Sequence, residues 1–420
     1  MRRAFIAILA GTILLVSGAI ALAQHSRRPH AGDDPKPILT RHPVNKRDWT
    51  IITEVKLYGF KSAIYDGRQT TVPILRTNNI RLESLRAVFP LIRGSAMHDV
   101  YPDAVMSALR LDTTIADARP DVLTDYQGPT DLLAWEARDI DAPVITLHVE
   151  IPITSYDTRI DEERAFAIPW PADDHEWEPH VASNLEPQLF IEPDHPAVQR
   201  LVKEWTRGRP RKAAPYYLAK YLAGKVVEHY QPEGRILEAT ARGATTLDVS
   251  AVLITGFRVD GAAHAAEHAK GSALDMANLL TAVYRAVGLP ARLVIAHDIA
   301  RSVRNDALVV RAWTEFYLYD PRTERGEWIP VDIQRQRQFS SRMPPIDRRW
   351  QFFGHNEEFQ FTAPIAHHWH PPASVTNQGP PALWGWIPKP VHPSADQQVR
   401  IDVIGTPKRG DGKPARPIRP

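Results

Sequence analysis

Residues 271–294, GSALDMANLLTAVYRAVGLPARLV, predict a buried helix that is followed directly by a strand. Large apolar residues recur among small ones over 274–287, which favours a helix that is buried on most sides. Gly288 follows and is typical of a helix end, and Pro290 then turns the chain. Residues 291–296 are apolar apart from one arginine and predict the strand.

The sequence around this stretch predicts an α+β domain. Residues 309–319 and 328–333 predict two further strands, separated by a turn at Gly326. Two helical patterns precede the stretch, over 196–205 and 217–226. A helix followed by antiparallel strands can bury one face of the helix on the sheet, so we expect this arrangement.

The two helical patterns are separated by a basic run, RGRPRK, at residues 207–212. A run of like charges with a glycine and a proline breaks the first helix and favours a solvated loop. A contact with phosphate or lipid is the less favoured interpretation of the same residues.

Three segments together resemble the transglutaminase-like superfamily, which has a papain-like catalytic core. The segments are GSALDMANLLTAVYRAVGLPARLV (271–294), RAWTEFYL (311–318) and EWIPVD (327–332), and their order and spacing fit the family. Each segment is short, so the specificity lies in the set. The resemblance covers roughly residues 190–335 and implies a helix packed on an antiparallel sheet.

The resemblance also implies a catalytic triad, of which this chain retains one member. In the family a cysteine thiolate attacks a carbonyl, a histidine activates the thiol and an aspartate orients the histidine. The matching positions here are Ala273, Arg311 and Asp332. A methyl group is no nucleophile, and arginine stays protonated at physiological pH and so is no general base. Because the chain contains no cysteine at all, we expect no catalytic residue at this site.

The neighbours of these positions complete the predicted site. Asp275 and Trp313 also match the family, and the resemblance gives Asp275 a structural role. We expect a bidentate ion pair between Arg311 and Asp332. The first hypothesis is therefore a non-catalytic protein of the cell envelope, which binds a peptide or polymer in the former cleft or serves as a scaffold.

A residual hydrolase that uses Ser272 is one alternative. Ser272 lies beside the lost cysteine position, but a shift of one residue at a helix start turns a side chain by about 100°. Arg311 occupies the position of the histidine that would activate it. An N-terminal cap of the helix is the preferred interpretation of Ser272.

A zinc-dependent hydrolase is the other alternative. Residues 264–268 read HAAEH, so His264 and His268 would share one face of a helix and hold Zn²⁺, while Glu267 activates the bound water. The motif is short and has no evident third ligand. Solvent-facing histidines are the preferred interpretation, so we expect no cofactor, with zinc as the alternative.

The N-terminus predicts export. Arg2 and Arg3 precede an apolar run over 4–22, and residues 21–23, ALA, are typical of a cleavage site. We expect the protein in the periplasm or outside the cell, with an uncleaved membrane anchor as the alternative, and no later stretch is long and apolar enough to span a bilayer. A net charge of +2 gives no support for nucleic-acid binding. The expected partners are a peptide, a protein or a glycan of the envelope.

Composition and periodicity predict the domain organisation. Residues 144–153 alternate between apolar and polar, which indicates a half-buried strand in a β-rich domain. The predicted segments are a signal peptide or anchor 1–23, a linker 24–46, a β-rich domain 47–190, a transglutaminase-like domain 191–340, a packed extension 341–371 and a Pro-rich tail 372–420. The tail has too little apolar surface to fold alone, so we expect it to be extended or disordered.

Two clusters near the C-terminus have alternative interpretations. Residues 367–370, HHWH, together with His355, predict an exposed loop, and metal chelation is the less favoured interpretation. Trp384 and Trp386 predict a contact that pins the C-terminal segment to the domain surface, and an aromatic platform for a sugar is less favoured.

Overall fold

The structure is a computed structural model that describes nine stretches of the chain. They are residues 36–59, 61–64, 74–124, 130–234, 236–239, 254–305, 309–369, 383–390 and 395–405. No helix within these stretches is long and apolar enough to cross a membrane. The predicted signal peptide lies outside the described residues, so export stays a prediction.

Strands dominate the N-terminal part of the chain, as predicted. They are β1 (Leu39–Arg41), β2 (Arg47–Gly59), β3 (Lys61–Ile64), β4 (Ile74–Thr77), β5 (Ile80–Ile92), β6 (Gly94–Ser95), β7 (His98–Val100), β8 (Met106–Leu111), β9 (Thr114–Asp117), β10 (Asp121–Leu123), β11 (Thr130–Ala142), β12 (Val144–Ser155) and β13 (Thr158–Ile160). β2 and β12 pair antiparallel from end to end. Alternate residues of β2 are buried, because successive side chains of a strand point to opposite faces.

Among the described residues, α-helices appear from residue 162 onwards. They are α1 (Glu162–Phe166), α2 (Pro179–Ala182), α3 (Pro196–Thr206), α4 (Pro215–His229), α5 (Gly261–His268), α6 (Ala273–Ala286), α7 (Ile299–Asn305) and α8 (Ile333–Phe339). The strands of this part are β14 (Gln231–Pro232), β15 (Leu237–Ala239), β16 (Ile254–Phe257), β17 (Lys270–Gly271), β18 (Ala291–Asp298), β19 (Val310–Asp320), β20 (Arg325–Val331) and β21 (Thr362–Ala366).

The centre of this part is helix α6 on a four-stranded sheet. The sheet has the strand order β20-β19-β18-β21, and its neighbours are antiparallel. Residues 273–285 of α6 are all buried, and the Thr314 hydroxyl on β19 donates to the Ala277 carbonyl at 3.0 Å. The predicted α+β fold, with a buried helix on an antiparallel sheet, is confirmed.

The last predicted strand of the sheet begins and ends earlier than expected. The sequence predicts a strand over 328–333, whereas β20 ends at Val331. The Asp332 side chain instead accepts a hydrogen bond from the Arg335 amide at 3.0 Å and caps α8. The carboxylate satisfies a free amide of the first helical turn, which makes a helix start more favourable here than two more residues of strand.

The Pro-rich tail is folded where the structure describes it, which corrects the prediction of an extended or disordered segment. Strand β22 (Gly385–Lys389) pairs with β5, and β23 (Ala395–Gly405) pairs with β2 over its whole length. The prediction was wrong for these residues because the tail needs no core of its own. It adds backbone hydrogen bonds and alternate buried side chains to sheets that the N-terminal region has already formed.

Candidate functional site

The start of α6 is held by a reciprocal cap between Ser272 and Asp275. The Ser272 hydroxyl donates to Asp275 Oδ2 at 2.7 Å and accepts from the Asp275 amide at 3.1 Å. Asp275 Oδ2 also accepts from the Ser272 amide at 3.0 Å. This arrangement is a capping box with aspartate at the third helical position. Ser272 is therefore the N-cap that the sequence predicts, and its hydroxyl proton is held by a carboxylate.

Asp275 also joins the starts of two helices. Its Oδ1 accepts from the amides of Asp260 and Gly261, each at 2.9 Å, at the start of α5. Asp275 and Ser272 have no exposed surface. A nucleophilic serine needs an accessible hydroxyl and a base that takes its proton. The geometry of Ser272 therefore gives no support to the serine hydrolase alternative.

Gly271 is required by the same close packing. Its φ of +148° is rare for other residues, and a Cβ built there would lie 2.6 Å from the Tyr230 hydroxyl oxygen. That hydroxyl donates to the Ser272 carbonyl at 2.8 Å. Gly271 thus lets Tyr230, which follows the end of α4, approach the start of α6.

Ala273 is the first residue of α6, and its side chain is nearly buried, with 6% of the residue exposed. A cysteine at this position would have the helix N-terminus to stabilise its thiolate, because the first amides of a helix carry partial positive charge. The methyl group of Ala273 has no ionisable atom that this partial positive charge could stabilise.

Arg311 and Asp332 form a buried ion pair. Arg311 Nε donates to Asp332 Oδ2 at 2.7 Å, and a terminal guanidinium nitrogen of Arg311 contacts the same oxygen. Their side chains are 3% and 0% exposed. Both bonds go to Oδ2, while Oδ1 serves the cap of α8. The carboxylate therefore has charge-assisted partners on both oxygens without an imidazole.

Further charged and aromatic groups surround the Arg311 guanidinium. Asp298 Oδ2 and Glu358 Oε2 lie 3.9 and 4.0 Å from Arg311 Nη1. The guanidinium carbon lies 4.8 Å from the ring centre of Phe359. Glu358 also pairs with Arg335. Nothing in the sequence points to Asp298, Glu358 and Phe359, because they come to Arg311 from two other segments and match no motif.

Trp313 lies on the same face of β19 as Arg311, where the N-terminal region covers the sheet. Its indole donates to Glu315 Oε1 at 3.2 Å, and its ring stacks on His98 of β7 at 5.8 Å. Glu315 Oε1 also accepts from the Ala96 amide at 3.0 Å. Trp313 and Glu315 are fully buried. This face of the sheet is therefore an internal contact between the two halves of the chain.

The positive partner of Glu315 is Arg292. Arg292 Nε and Nη2 lie 2.8 and 2.7 Å from Glu315 Oε2, and the pair is 7% and 0% exposed. The sequence shows a signal for it, because Arg292 and Glu315 each interrupt apolar residues of a predicted strand. The register places Arg292 opposite Glu315, so the two charges neutralise each other inside the protein.

His264 and His268 share one face of α5, as their spacing predicts. Their rings stack at 4.1 Å, and His268 Nδ1 lies 3.1 Å from the His264 carbonyl oxygen. Glu267 is exposed. Across the described parts of the chain, no three histidine or carboxylate side chains are grouped so that they could hold a metal ion. The motif lies on a helix, but the described residues supply no third ligand for a metal ion.

The C-terminal histidines that the structure describes are buried, so the prediction of an exposed loop was wrong for them. His355, His367 and His368 are 6%, 4% and 5% exposed, and His370 lies outside the described residues. The two ring nitrogens of His367 lie 3.0 and 3.1 Å from the carbonyl oxygens of Leu293 and Gly94. His367 thus links β18 to β6. The polar residues of the local sequence do not predict this link.

The two C-terminal tryptophans are buried where the tail contacts the N-terminal sheets. Trp384 stacks on Phe89 at 6.2 Å, and Trp386 donates to the Gln397 side chain at 2.8 Å. Both are at most 3% exposed. A ring with so little accessible surface is no platform for a sugar.

Comparison with a family profile agrees with this fold. Residues 213–333 match the sequence profile of the transglutaminase-like superfamily. No curated protein matches the chain. A candidate cysteine protease from Cytophaga hutchinsonii is 11% identical, with 90% of this chain and 96% of that chain covered and a TM-score of 0.47. A candidate protease from Parabacteroides distasonis is 7% identical, with 70% and 62% covered and a TM-score of 0.21. Residues 213–333 are a transglutaminase-like domain.

Proposed function

We propose that this chain is an exported protein whose transglutaminase-like domain is non-catalytic and serves as a binding or scaffold module of the cell envelope. One observation carries the proposal. The guanidinium of Arg311 pairs with Asp332 inside the protein, at the position where the family places the imidazole that activates the thiol.

The chemistry of acyl transfer supports the proposal. The reaction needs a nucleophile that attacks a carbonyl and a base that removes its proton. The chain has no cysteine, and a guanidinium stays protonated and can only donate hydrogen bonds. Asp332 alone has no imidazole to orient. The nucleophile and the general base are therefore both absent from the positions that match the triad.

Burial of the former site favours a partner that binds elsewhere. Ala273, Arg311 and Asp332 are 6%, 3% and 0% exposed. A peptide or glycan that entered between Arg311 and Asp332 would have to open a buried ion pair, which leaves an unpaired charge in the interior. We therefore propose that the partner contacts the outer surface and that the paired core keeps the domain rigid.

The catalytic part of the proposal is tested with purified full-length protein. We expect no hydrolysis of peptide amides and no transfer of a fluorescent amine to glutamine peptides. Hydrolysis that persists in a chelator would overturn the proposal. Hydrolysis that a chelator and Glu267→Gln both abolish would overturn it in favour of the zinc enzyme.

A pair of variants tests whether the site is a disarmed triad. Ala273→Cys alone supplies a thiol without a base, and Ala273→Cys with Arg311→His supplies both. We expect the double variant to react with iodoacetamide faster at pH 7 than the single variant, because a neighbouring histidine lowers the pKa of a thiol. Equal rates in two folded variants would contradict the assignment of Arg311 to the histidine position.

Export is tested separately. Expression of the whole chain in a bacterial host, followed by N-terminal sequencing, is expected to give a mature protein that begins at Gln24. Recovery of the uncleaved chain in the membrane fraction would support the anchor alternative, and recovery in the cytoplasm would contradict export.

A further inference from the structure

The strongest concentration of positive charge in the described chain lies at the end of α3 and in the turn that follows. Residues 200–212 contain six basic side chains and one acidic side chain. The net charge of this stretch is +5, and because the whole chain carries +2, the rest of the chain carries −3. The positive charge is therefore local and does not follow from a generally basic composition.

The local backbone presents these side chains to solvent. Arg207 ends α3 in the left-handed conformation, with φ of +53°, and Gly208 follows with φ of +68°. A 3₁₀ turn over Pro210–Lys212 then leads to α4. Arg207, Arg209 and Lys212 are exposed, and among the described residues no carboxylate forms a salt bridge with them.

The last turns of α3 extend the same basic surface. Arg200, Lys203 and Arg207 follow one another at spacings of three and four residues, which places them on one side of the helix end. All three are exposed. We call the surface formed by Arg200, Lys203, Arg207, Arg209 and Lys212 the basic turn. Arg211 is excluded, because it pairs with Asp173.

Aromatic side chains flank the basic turn. Tyr217 at the start of α4 is 43% exposed, and Trp205 at the end of α3 is partly exposed. Trp170 is also partly exposed and lies under Arg211, whose guanidinium carbon is 5.4 Å from its ring centre. Tryptophan and tyrosine have an apolar ring and a polar edge, which suits the boundary between lipid headgroups and acyl chains.

We propose that the basic turn and its flanking aromatic residues form a docking site for the surface of an anionic phospholipid membrane. Guanidinium groups match phosphate oxygens in geometry and charge. The site is an exposed turn between two helix ends, where several cations can meet a layer of phosphates at once. This inference rests on the proposed export, because an envelope protein meets lipid headgroups and does not meet nucleic acid.

The absence of cysteine from the natural chain allows a single label to report on this site. Glu204→Cys places an environment-sensitive fluorophore on the exposed face of α3 beside the basic turn. Asp121→Cys, on exposed β10, places the same label elsewhere and removes the same charge. Both proteins keep the N-terminal apolar segment, so any insertion of that segment into vesicles is common to the two.

The measurement is titration of the labelled full-length proteins with vesicles. We expect the label at position 204 to shift to the blue with vesicles that contain phosphatidylglycerol and to stay unchanged with pure phosphatidylcholine. High salt is expected to reverse the shift, because exposed charges are screened. An equal shift of the label at position 121, or an equal shift with neutral vesicles, would overturn the proposal.

Two matched triple variants test the residues. Arg207→Ser with Arg209→Ser and Lys212→Ser is expected to weaken binding to anionic vesicles about a hundredfold, from three lost cations. Arg110→Ser with Arg119→Ser and Arg138→Ser removes three exposed cations from the N-terminal region and is expected to bind like the parent. Equal affinities of the two variants, with melting temperatures that show both to be folded, would overturn the proposal.

Two soluble competitors distinguish the source of the phosphate. Inorganic phosphate at high concentration, matched in ionic strength with sodium chloride, is expected to displace the protein no better than the salt does. Stronger displacement by phosphate would assign the basic turn to a free anion, and a label shift with soluble polyphosphate but not with vesicles would assign it to a soluble polymer. Either result would overturn membrane docking, and neither bears on the assays of catalytic inactivity or export.

Discussion

Arg311 is a buried side chain whose guanidinium is paired inside the protein. Its guanidinium pairs with Asp332 and lies over the ring of Phe359. An imidazole would give Asp332 one hydrogen bond and keep a free nitrogen for chemistry. The guanidinium has no lone pair to offer, so all its polar atoms serve structure.

The Arg311–Asp332 pair predicts a strong dependence of stability on both partners. Arg311→Met should lower the free energy of unfolding by about 3–5 kcal/mol, because it leaves the Asp332 charge buried and unpaired. Addition of Asp332→Asn removes that charge and keeps an oxygen to cap α8, so the double variant should be more stable than the sum of the single changes predicts. Urea unfolding of the four proteins of this cycle measures the coupling.

The matched control for this cycle is Arg304→Met. Arg304 is an exposed arginine at the end of α7, and its replacement should change stability by about 0.5 kcal/mol or less. Additive losses in the Arg311 and Asp332 variants would contradict an energetic coupling between the two groups.

At the scale of elements, β23 covers the outer edge of β2 in the larger N-terminal sheet. β23 is the outer neighbour of β2 and pairs with it over eleven residues. Val399 and Val403 are 2% and 6% exposed, and burial of a valine contributes about 1.5–3 kcal/mol. Without β23, the backbone of β2 would offer free donors and acceptors to other chains.

Truncation tests this role of β23. A chain that ends at Pro390 should melt at least about 5 °C lower than the parent and should associate in light scattering, because β2 becomes an edge strand. A chain that ends at Gly405 keeps β23 and should melt like the parent. The same loss of stability in both truncated chains would show that the pairing with β2 is not what stabilises the sheet.

At the scale of the whole molecule, the buried neutral ring of His98 connects the two halves of the chain. His98 Nδ1 lies 2.6 Å from the Ser95 hydroxyl, and its Nε2 lies 3.0 Å from the Thr362 hydroxyl of β21. Burial lowers the pKa of His98 from 6.5 to about 3. Burial likewise lowers the pKa of His297 to about 4. Both rings are therefore uncharged in the folded protein at neutral pH.

The depressed pKa values predict a loss of stability in acid. The unfolded chain binds a proton at each ring below pH 6.5, whereas the folded chain does not until the pH falls below about 4. The contribution of these two neutral rings to stability is thus complete above pH 6.5 and decreases as the pH falls towards 4, by about 1.4 kcal/mol per pH unit for each histidine. His148 has the opposite effect, because its hydrogen bond with Glu54 raises its pKa. The stabilisation that this pair contributes is present in acid and is lost only as the pH rises above 6.5.

Replacement of one ring measures this effect. His98→Gln should reduce the slope of unfolding free energy against pH, between pH 6 and pH 4, by about 1.4 kcal/mol per pH unit. The slope is the readout, because the substitution also alters hydrogen bonds at every pH. His180→Gln is the control, since the His180 side chain is 47% exposed. An unchanged slope in His98→Gln would contradict the assignment of a neutral buried ring.

The sequence by itself determined the parts of this protein that act over a few residues. The helix–turn–strand of 271–294, the Ser272 cap and the helix break at Arg207 follow from periodicity and from cap and turn chemistry. The three family segments also predict that Ala273, Arg311 and Asp332 belong to one site, and the structure brings Arg311 and Asp332 into contact.

Tertiary structure alone decided which distant residues surround those positions. Ala96 and His98 cover Glu315 and Trp313, which lie more than two hundred positions later in the chain. The tail strands and the buried C-terminal histidines depend on equally distant partners. Sheet pairing and burial are set by backbone hydrogen bonds and packing between such segments, and these interactions leave no period in the local sequence from which they can be inferred.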